Sequence, residues 1–578
     1  MGGNQLSLIL DPVVTTAHAL HANAAAALVT YVPQYQHALT KVPKTRGVIA
    51  ASLAAVTALW IAKQSIQQAR TARKLRAQGV PEQIILHPKW WLLGLQRYLI
   101  GHLLEPVPDM AGAIRSEQQI PLLHGKNVDG WDRTDQVPLI YMNRLFFGSP
   151  SLVVADPKAL HAMLSAHSYT FIKPETSIEA IGMVTGNLGM VTINGDVHKR
   201  HRRIVNPLFN MKTLMPLLPV MISSLDEFCA FLDTFPHSTS LPFHEMSGQL
   251  TLNVIGRTGM NYEFNALALE GTPITRAYNE MQEVIEFTPW FLLCLMYPNT
   301  LGRIPTASRR QFWRGHRVMI AAIKDMLTRA RAEPNGTSLI HELIRQNEGN
   351  ALNEYELVCE TQTFLGAGHE TTSSSLAMAV LLLAQFPDVQ DNLAKELAAV
   401  DLGDYETLSK LPRLNSVINE TMRLFPPGNL TFREAGADIT VPTTALGPLA
   451  LPKGLEIEIP IRAIHMDTSI WGPDAMEWNP QRWDTIDLVQ GGNMDLSANR
   501  IVNGRRQIGP YDYFPFLVGP RGCIGRQFAV MELRLFIAGL VRRYKLATDL
   551  PVGGEDFHVA ITMRPTNAWV RVERRAQE

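Results

Sequence analysis

The chain has 578 residues, of which 46% are hydrophobic and 18% are charged, so it can bury a large core. Its 53 Lys and Arg balance its 53 Asp and Glu, and this neutrality gives no support to nucleic-acid binding. The four cysteines, Cys229, Cys294, Cys359 and Cys523, are far apart. Without a C-x-x-C pair they argue against a zinc site and a disulfide framework, and they favour a reducing compartment.

An uncharged stretch at residues 47–62 predicts one membrane-anchor helix, preceded by a lumenal leader at 1–46. A helix of this length spans about 24 Å. Trp60 and the snorkelling side chains of Arg46 and Lys63 extend it toward the thickness of the hydrocarbon core. More basic residues follow the stretch than precede it, so the positive-inside rule places the rest of the chain in the cytoplasm. The alternative is a buried, Ala-rich core helix.

A basic linker at 63–85 precedes a globular domain at 86–578. Apolar residues at three- and four-residue spacing predict helices at Leu214–Phe235, Thr306–Ala332, Glu354–Phe386 and Asp388–Val400. Strand-like segments are fewer and lie at Leu139–Met142, Ser151–Val154 and Leu455–Pro460. The sequence therefore predicts a mainly α domain with small β-sheets.

His198 and Arg202 lie four residues apart in a basic segment that begins at Gly195. On a helix this spacing puts both side chains on one face, where they form a fork suited to an anionic carboxylate. The alternative is an exposed basic helix that docks an acidic partner. Both uses are compatible on opposite faces of one helix.

The segment GAGHETT, residues 366–372, lies in the middle of a long predicted helix. Each glycine costs about 1 kcal/mol relative to Ala in a helix interior, which predicts a local distortion with room for a small ligand or water. Glu370 and Thr371 then supply an acid and a hydroxyl that can relay protons. The alternative is a helix kink with a polar stripe. We interpret His369 as a packed or solvent-facing side chain rather than a ligand.

Glu420 and Arg423 lie three residues apart on one predicted helix face, where an ion pair can form. The alternative for such a common pattern is a solvated pair on a helix surface. Arg482 follows about sixty residues later, within Asn-Pro-Gln-Arg-Trp. This second arginine favours a buried Glu-Arg-Arg cluster with a structural role.

The segment FLVGPRGCIGRQFA, residues 516–529, surrounds Cys523 with three glycines and leads into an apolar-periodic helix. The glycines let the backbone approach a flat ligand and leave N–H groups free for the sulfur. The start of the helix is expected to lower the pKa of the thiol. Arg521 offers a cation to a carboxylate of the ligand. The segment therefore suits a cysteine thiolate that binds the iron of a haem.

Three alternative roles for Cys523 agree less well with the sequence. A phosphatase-type nucleophile needs an arginine six positions after the cysteine, and that position is Ala529. A papain-like cysteine is expected early in its domain, not near the end. A buried structural thiol needs neither the glycines nor Arg521.

Together, in this order and spacing, the four motifs resemble the cytochrome P-450 family, and the likeness runs from about His87 to Pro565. The resemblance implies a mainly helical haem domain with small β-sheets, haem b as cofactor, and Cys523 as its axial thiolate ligand. It implies three sets of site residues: His198, Arg202, Arg433 and Arg521 at the haem propionates, with Phe516 and Gly525 in the cysteine loop; Ala367, Glu370 and Thr371 at the oxygen pocket; and Glu420, Arg423 and Arg482 as a structural cluster.

The chain departs from the family pattern in two places. His198 stands where tryptophan is common, and a histidine can still donate a hydrogen bond. Around Arg482, the residues Trp478, Gln481 and Trp483 replace the usual Phe, Glu and Phe. The arginine itself is kept, so the predicted structural cluster is unaffected.

The resemblance implies a monooxygenase that inserts one oxygen atom of O2 into an apolar small molecule, by hydroxylation or epoxidation. Electrons come from NADPH through the NADPH–cytochrome P-450 reductase. Thr371 and Glu370 favour this activity over two alternatives: an isomerase or dehydratase that needs no reductase, and a non-catalytic haem-binding sensor.

The overall pattern resembles eukaryotic microsomal members, fungal ones in particular, that act in secondary metabolism. It implies a single-pass protein of the endoplasmic reticulum membrane whose catalytic domain faces the cytoplasm and contacts membrane lipid. The apolar run Pro289–Pro298 then corresponds to a lipid-facing access loop, with a buried core segment as the alternative. The stretch Pro427–Phe432 is expected to border the substrate pocket.

Overall fold

The computed structural model describes residues 63, 66–80, 82–84, 139–143, 151–268, 272–284, 306–347, 349, 351–444, 446–489, 501–502, 505–559 and 561–576. The chain forms two compact units, Met1–Thr71 and Ala72–Glu578. Within the first unit the description covers residues 63 and 66–71. The predicted leader at 1–46 and the predicted anchor at 47–62 therefore lie outside the described residues.

The second unit is built mainly of α-helices. Its described helices are α1 (Pro157–His161), α2 (Glu175–Thr185), α3 (Gly195–Val205), α4 (Met211–Leu214), α5 (Leu218–Leu232), α6 (Phe243–Ile255), α7 (Pro273–Val284), α8 (Ala307–Ala332), α9 (Leu339–Gln346), α10 (Glu354–Gln385), α11 (Pro387–Leu397), α12 (Tyr405–Lys410), α13 (Pro412–Leu424), α14 (Ile461–His465), α15 (Thr468–Trp471) and α16 (Arg526–Arg543). The mainly α prediction is confirmed for this unit.

The apolar spacing predicted the helices well, with one difference. Helices α8, α10 and α11 occupy the predicted segments within a few residues at each end. The segment predicted as one helix from Leu214 is divided into α4, a 3-10 turn at Met215–Leu217 and α5. Pro216 and Pro219 explain the division, because each lacks an N–H and is tolerated only in the first turn of a new helix.

Helix α10 is the central helix, with 32 residues. It begins with a capping box, in which the Asn353 side chain accepts from the Glu356 N–H and the Glu356 side chain accepts from the Asn353 N–H. It packs against α6, α13 and α16 and is buried over most of its length. Pro387 then starts α11, at the first helical position, where a proline is tolerated.

The described strands form small sheets around the helices. They are β1 (Glu82–Ile84), β2 (Leu139–Asn143), β3 (Ser151–Val154), β4 (Phe171–Ile172), β5 (Leu241–Pro242), β6 (Thr431–Ala435), β7 (Ile439–Pro442), β8 (Pro448–Leu451), β9 (Glu456–Ile459), β10 (Ile486–Leu488), β11 (Ile501–Val502), β12 (Arg505–Ile508), β13 (Tyr544–Ala547), β14 (Phe557–Val559), β15 (Met563–Pro565) and β16 (Trp569–Arg574). The largest sheet has six strands in the order β1-β2-β3-β9-β6-β4.

That sheet is mixed, and it includes all three segments predicted as strands. The pairs β1–β2 and β3–β9 are parallel, and the remaining neighbours are antiparallel. Its register places Arg433 of β6 opposite Ile457 of β9. Tyr141, Leu152 and Ile459 are fully buried in the smaller hydrophobic core, which lies around this sheet. The larger core joins the helices.

The smaller core begins earlier in the chain than the predicted domain boundary at residue 86. Ala72, Leu75 and Val80 are at most 1% exposed and belong to this core. The strand β1 then pairs with β2. Residues 72–80 and 82–84, which the sequence assigns to the basic linker, therefore lie in the second compact unit, and Ala72, Leu75 and Val80 contribute to its sheet core.

One helical run within the described part of the chain, Met211–Leu232, is long and apolar enough to cross a membrane. The bent pair α10 and α11 passes the same test only when the two helices are counted together. Leu214, Met221, Leu225 and Phe228 are completely buried in the larger core. Packing inside the protein therefore accounts for part of the apolar character of the run.

Candidate cofactor site

The loop that carries Cys523 is a compact turn before α16. The Cys523 N–H donates to the Phe516 carbonyl over 2.7 Å. Gly519 has a φ of +74°, and a Cβ there would lie 2.1 Å from the Leu164 carbonyl oxygen, so the position requires glycine. Leu517 also has a positive φ, of 57°, which costs about 1–3 kcal/mol in a residue other than glycine. Such strain is concentrated at functional sites.

Cys523 is the exposed member of the three described cysteines, since Cys229 and Cys359 are buried. The surrounding protein nevertheless desolvates the thiol, and this desolvation raises its pKa. The N–H groups of Gly525 and Arg526 donate to the sulfur and, with two nearby arginine charges, lower the pKa in part. The start of α16 thus acts in the predicted direction. The net shift of the thiol pKa is nevertheless upward, because desolvation outweighs these donors.

Five basic side chains meet beside this loop, and we call them the cationic cluster: Lys173, His198, Arg202, Arg433 and Arg521. They come from the segment after β4, from α3, from β6 and from the cysteine loop. Burial, followed by the neighbouring positive charges, lowers the pKa of Lys173 well below its usual value and that of His198 to about 3. The structure therefore brings together all four residues that the sequence places at the propionates.

Hydrogen bonds to the surrounding protein hold the three arginines of the cationic cluster in place. Arg202 Nη1 donates to the Gly522 carbonyl over 2.6 Å, which ties α3 to the cysteine loop. Arg521 Nη1 donates to Asn194 Oδ1 over 2.8 Å. Arg433 is held within β6 by bonds to the Thr431 hydroxyl and the Phe432 carbonyl, and burial together with Arg521 lowers its pKa to about 10.

Lys173 is a member of the cluster that the sequence did not indicate. Its Nζ donates to the carbonyls of Met190 and Ile193 over 3.0 and 3.3 Å. A single lysine between a two-residue strand and a proline has no local pattern that could have revealed it. Tyr169 was missed for the same reason; its hydroxyl lies 3.2 Å from His198 Nδ1, and Arg521 lies over its ring.

The cluster fits a ligand that carries two carboxylates. Arg521 Nε and Nη2 are buried and have no hydrogen-bond partner within the described part of the chain. The acidic side chain whose charge acts on Lys173 is Glu360, which is already bonded to His201. Buried cations with free donors are costly without an anion. A haem, with two propionates and an iron atom for Cys523, has the required chemistry.

The GAGHETT segment lies on a part of α10 that is more open than the rest. Residues 367–371 are half-buried, whereas the helix on both sides is buried. The structure assigns α-helix without a break from Glu354 to Gln385, so the predicted local distortion is not observed. The Thr371 hydroxyl donates to the Ala367 carbonyl over 2.8 Å. The greater exposure of this segment is therefore not caused by a widened turn.

Glu370, the acidic residue of this segment, has a hydrogen-bond partner that the sequence did not predict. The Thr562 hydroxyl donates to Glu370 Oε1 over 2.6 Å, from the turn between β14 and β15. His369 is a packed side chain, as interpreted from the sequence: its Nδ1 lies 3.2 Å from the Tyr278 hydroxyl, and burial lowers its pKa to about 4. The Thr251 hydroxyl bonds to the His369 carbonyl. Three separate elements thus hold this part of α10.

Glu420, Arg423 and Arg482 form a second buried cluster, the Glu420 cluster. Glu420 accepts two bonds from Arg423, at 2.8 and 2.9 Å, and one from Arg482 at 3.3 Å. Within the described residues, the remaining hydrogen bonds of the two arginines end on residues 465–477. The solvated-pair alternative is therefore wrong, and the structure keeps this cluster apart from the cationic cluster.

Two of the departures from the family pattern support the Glu420 cluster. Trp483 Nε1 donates to Glu420 Oε2 over 3.0 Å. Trp478 Nε1 donates to the Thr421 hydroxyl over 3.3 Å. A phenylalanine at either position would lack this donor, so the tryptophans add hydrogen bonds as well as bulk.

The cationic cluster has free, buried hydrogen-bond donors and lies beside a glycine-rich cysteine loop. This arrangement is expected of haem-thiolate proteins. The comparisons with known proteins agree with this class. The model of the family described as Cytochrome P450 matches residues 140–568. The chain belongs to the cytochrome P450 family, and it is a monooxygenase with a haem cofactor and an axial cysteine thiolate.

Its similar relatives are fungal and plant enzymes. Cytochrome P450 monooxygenase 128 of Postia placenta is 30% identical over 462 residues, which cover 73% of this chain and 81% of that relative. Cytochrome P450 monooxygenase FUM15 of Gibberella moniliformis is 28% identical, with coverage of 70% and 76%. Cytochrome P450 709B1 of Arabidopsis thaliana is 29% identical, with coverage of 68% and 74%.

Proposed function

We propose that Cys523 ligates the haem iron and that Arg521, Arg433, Arg202 and His198 hold the propionates. The observation that carries the proposal is the pair of buried, unpartnered nitrogens of Arg521 in a cluster of cations beside the cysteine loop. Phe516 accepts the Cys523 N–H, and Gly525 donates to the sulfur. The proposed ligands thus come from the same loop and the elements packed against it.

When bound, the haem supplies the activation of O2 and the insertion of one oxygen atom into the substrate. The chain supplies protons and position. Thr371 and Glu370 are proposed to pass protons to the oxygen site, with Ala367 beside them. The Thr562 hydroxyl donates to one oxygen of Glu370, which holds the carboxylate in place for this role.

The substrate is proposed to be an apolar small molecule of secondary metabolism, oxidised by hydroxylation or epoxidation. Fungal P450 monooxygenases among the relatives support this placement. The stretch Pro427–Phe432 is proposed to border the pocket, and the Pro427 carbonyl accepts from the Met563 N–H near the turn that carries Thr562. The proposed access run Pro289–Pro298 lies outside the described residues.

Electrons are proposed to come from the NADPH–cytochrome P-450 reductase, with the enzyme anchored by residues 47–62 in the endoplasmic reticulum membrane and facing the cytoplasm. The proposed docking face is the outer side of α3. Lys199 and Arg203 are exposed there, and Arg200 is 45% exposed while it pairs with Glu356. An acidic electron donor has complementary charge to this face.

The test of haem ligation is the difference spectrum of the full-length protein, reduced with dithionite and exposed to carbon monoxide. The wild type is expected to show the red-shifted Soret band of thiolate ligation, and Cys523→Ser is expected to lose it. Cys229→Ser is the matched control, because Cys229 is a buried cysteine of α5. A red-shifted band that persists in Cys523→Ser would refute the assignment of the ligand.

The proton relay is tested with Thr371→Ala, and Thr371→Ser serves as the control that keeps the hydroxyl. With reductase and an accepted substrate, the Ala variant is expected to divert electrons from product to hydrogen peroxide. The measurement is product and peroxide formed per NADPH consumed. Unchanged coupling in Thr371→Ala would show that this hydroxyl does not deliver protons.

A further inference from the structure

A buried histidine lies between two acidic side chains behind the cationic cluster. His201 of α3 and Glu360 of α10 are both 0% exposed. His201 Nδ1 lies 2.6 Å from Glu360 Oε1, and we call these two residues the buried pair. The other ring nitrogen, His201 Nε2, lies 3.3 Å from Glu356 Oε1 and 3.3 Å from Arg200 Nη2.

The two neighbours of His201 Nε2 require opposite protonation states. The Glu356 carboxylate needs a proton on this nitrogen, whereas the Arg200 guanidinium can only donate and needs a lone pair there. A cationic imidazole satisfies both carboxylates. A neutral imidazole donates from Nδ1 to Glu360 and accepts from Arg200. The same side-chain positions therefore accommodate either state.

The buried pair is connected to solvent on one side and to the cationic cluster on the other. Arg200, whose Nη2 lies 3.3 Å from His201 Nε2, is 45% exposed, so one member of the network is in contact with solvent. On the inner side, Met190 bridges the pair to the cluster, because its N–H donates to Glu360 and its carbonyl accepts from Lys173 Nζ.

Asn194 extends this connection to the proposed propionate site. Its side-chain oxygen accepts from the Lys173 N–H over 3.0 Å and from Arg521 Nη1 over 2.8 Å. A charge on His201 also acts directly on His198, whose pKa it helps to lower. A change of charge on the buried pair therefore changes the electrostatic potential at the cationic cluster.

The titratable and charged groups that face the pair come from three segments: Glu356 and Cys359 on α10, Arg200 and His198 on α3, and Lys173 after β4. Burial raises the pKa of Glu360, while His201 and Lys173 oppose that rise. Glu360 Oε2 has no hydrogen-bond partner within the described residues. The carboxylate is thus short of donors on one oxygen, which leaves room for a proton there.

We propose that His201 and Glu360 form a proton-holding pair that couples the solvent pH to the charge of the cationic cluster and, through it, to the reduction potential of the haem. The proposal rests on the proposed haem site. A proton on the pair adds one positive charge near the cluster, and positive charge favours the ferrous over the ferric haem. The reduction potential is therefore expected to fall as the pH rises through the titration of the pair.

The experiment is a spectroelectrochemical titration of the full-length, haem-loaded protein between about pH 5 and about pH 8. Wild type is compared with His201→Gln and Glu360→Gln, which keep side-chain size and remove the proton-holding group. In both variants the pH dependence of the potential is expected to fall to less than half of the wild-type slope. Glu360→Asp keeps a carboxylate and is expected to restore the dependence, which a packing role would not predict.

The matched control is Glu555→Gln. Glu555 is also a buried carboxylate, 2% exposed, and accepts from Gln385 and from the Gly553 N–H. It is expected to keep the wild-type slope. Equal slopes in wild type, His201→Gln and Glu360→Gln would overturn the proposal and leave the haem site intact. Absence of the thiolate-type carbon monoxide band in wild type would instead contradict the proposed function.

Discussion

The cationic cluster and the Glu420 cluster are both buried and rich in arginine, yet their hydrogen bonds differ. Glu420 accepts from Arg423, Arg482, Trp483 and the Asn479 N–H, and the arginine donors end on carbonyls and carboxylates. In the cationic cluster, Arg521 keeps two buried nitrogens without a partner in the described structure. A cluster that satisfies itself stabilises the fold, whereas one with free donors is suited to bind an anion.

The largest expected effect comes from breaking the Glu420 cluster. Arg423→Met leaves a buried carboxylate short of its main partner and should lower the free energy of unfolding by about 3–5 kcal/mol. Denaturant titration followed by tryptophan fluorescence measures this change. Arg571→Met is the control, because Arg571 pairs with the exposed Asp549 and such pairs contribute about 0–1 kcal/mol. Equal losses of unfolding free energy in Arg423→Met and Arg571→Met would contradict a stabilising role of the Glu420 cluster.

Arg433→Met tests the other side of the comparison. Loss of the proposed charged hydrogen bond to a propionate should weaken haem binding about tenfold to a hundredfold. The stability of the haem-free protein should be unchanged or increased, because a buried cation is removed. The rate of haem transfer to a haem-scavenging globin reports the first quantity, and denaturant titration reports the second. A loss of haem-free stability as large as that of Arg423→Met would remove the distinction between the clusters.

Acid should weaken the neighbourhood of the Glu420 cluster through His465. His465 Nε2 accepts from the Phe514 N–H over 2.9 Å and Nδ1 faces the Arg423 carbonyl, so the folded protein holds this imidazole neutral. Burial and then the Arg423 charge lower its pKa to about 3. Between about pH 6.5 and pH 3 the unfolded chain binds a proton here that the folded chain does not. This contribution to stability is full above about pH 6.5 and is lost as the pH falls.

The size of that loss is about 1.4 kcal/mol per pH unit below about pH 6.5. Free energies of unfolding measured at neutral and mildly acidic pH test it. His465→Gln should show a smaller dependence on pH than wild type. His237→Gln should keep the wild-type dependence, because His237 is exposed. The same slope in both variants would show that His465 titrates normally.

The smallest effect is expected from Trp483→Phe. This change keeps an aromatic ring and removes only the Nε1 donor to Glu420. Stability should fall by about 1 kcal/mol, the net contribution of one hydrogen bond. Trp478→Phe, which removes the longer bond to Thr421, should cost less. If the free energy of unfolding of Trp483→Phe equals that of the wild type, Arg423 and Arg482 alone satisfy the Glu420 carboxylate.

The sequence by itself determined the features that depend on local spacing. Helices such as α8 and α10, the cysteine loop with its glycines, and the Glu420–Arg423 pair are all encoded within one or a few turns of chain. Helix α16 begins three residues after Cys523, at Arg526, so the N–H donors to the sulfur were predictable. Residues close in the chain stay close in any fold that keeps the local structure.

Only the tertiary structure decided which distant side chains meet. Lys173 joins the cationic cluster, Thr562 holds Glu370, and the His201–Glu360 contact joins residues 159 positions apart. The sign of the Cys523 pKa shift also depended on burial by the whole fold, which outweighed the local donors. Hydrogen bonding and desolvation act through space, so their balance at a site is set once packing has placed every neighbour.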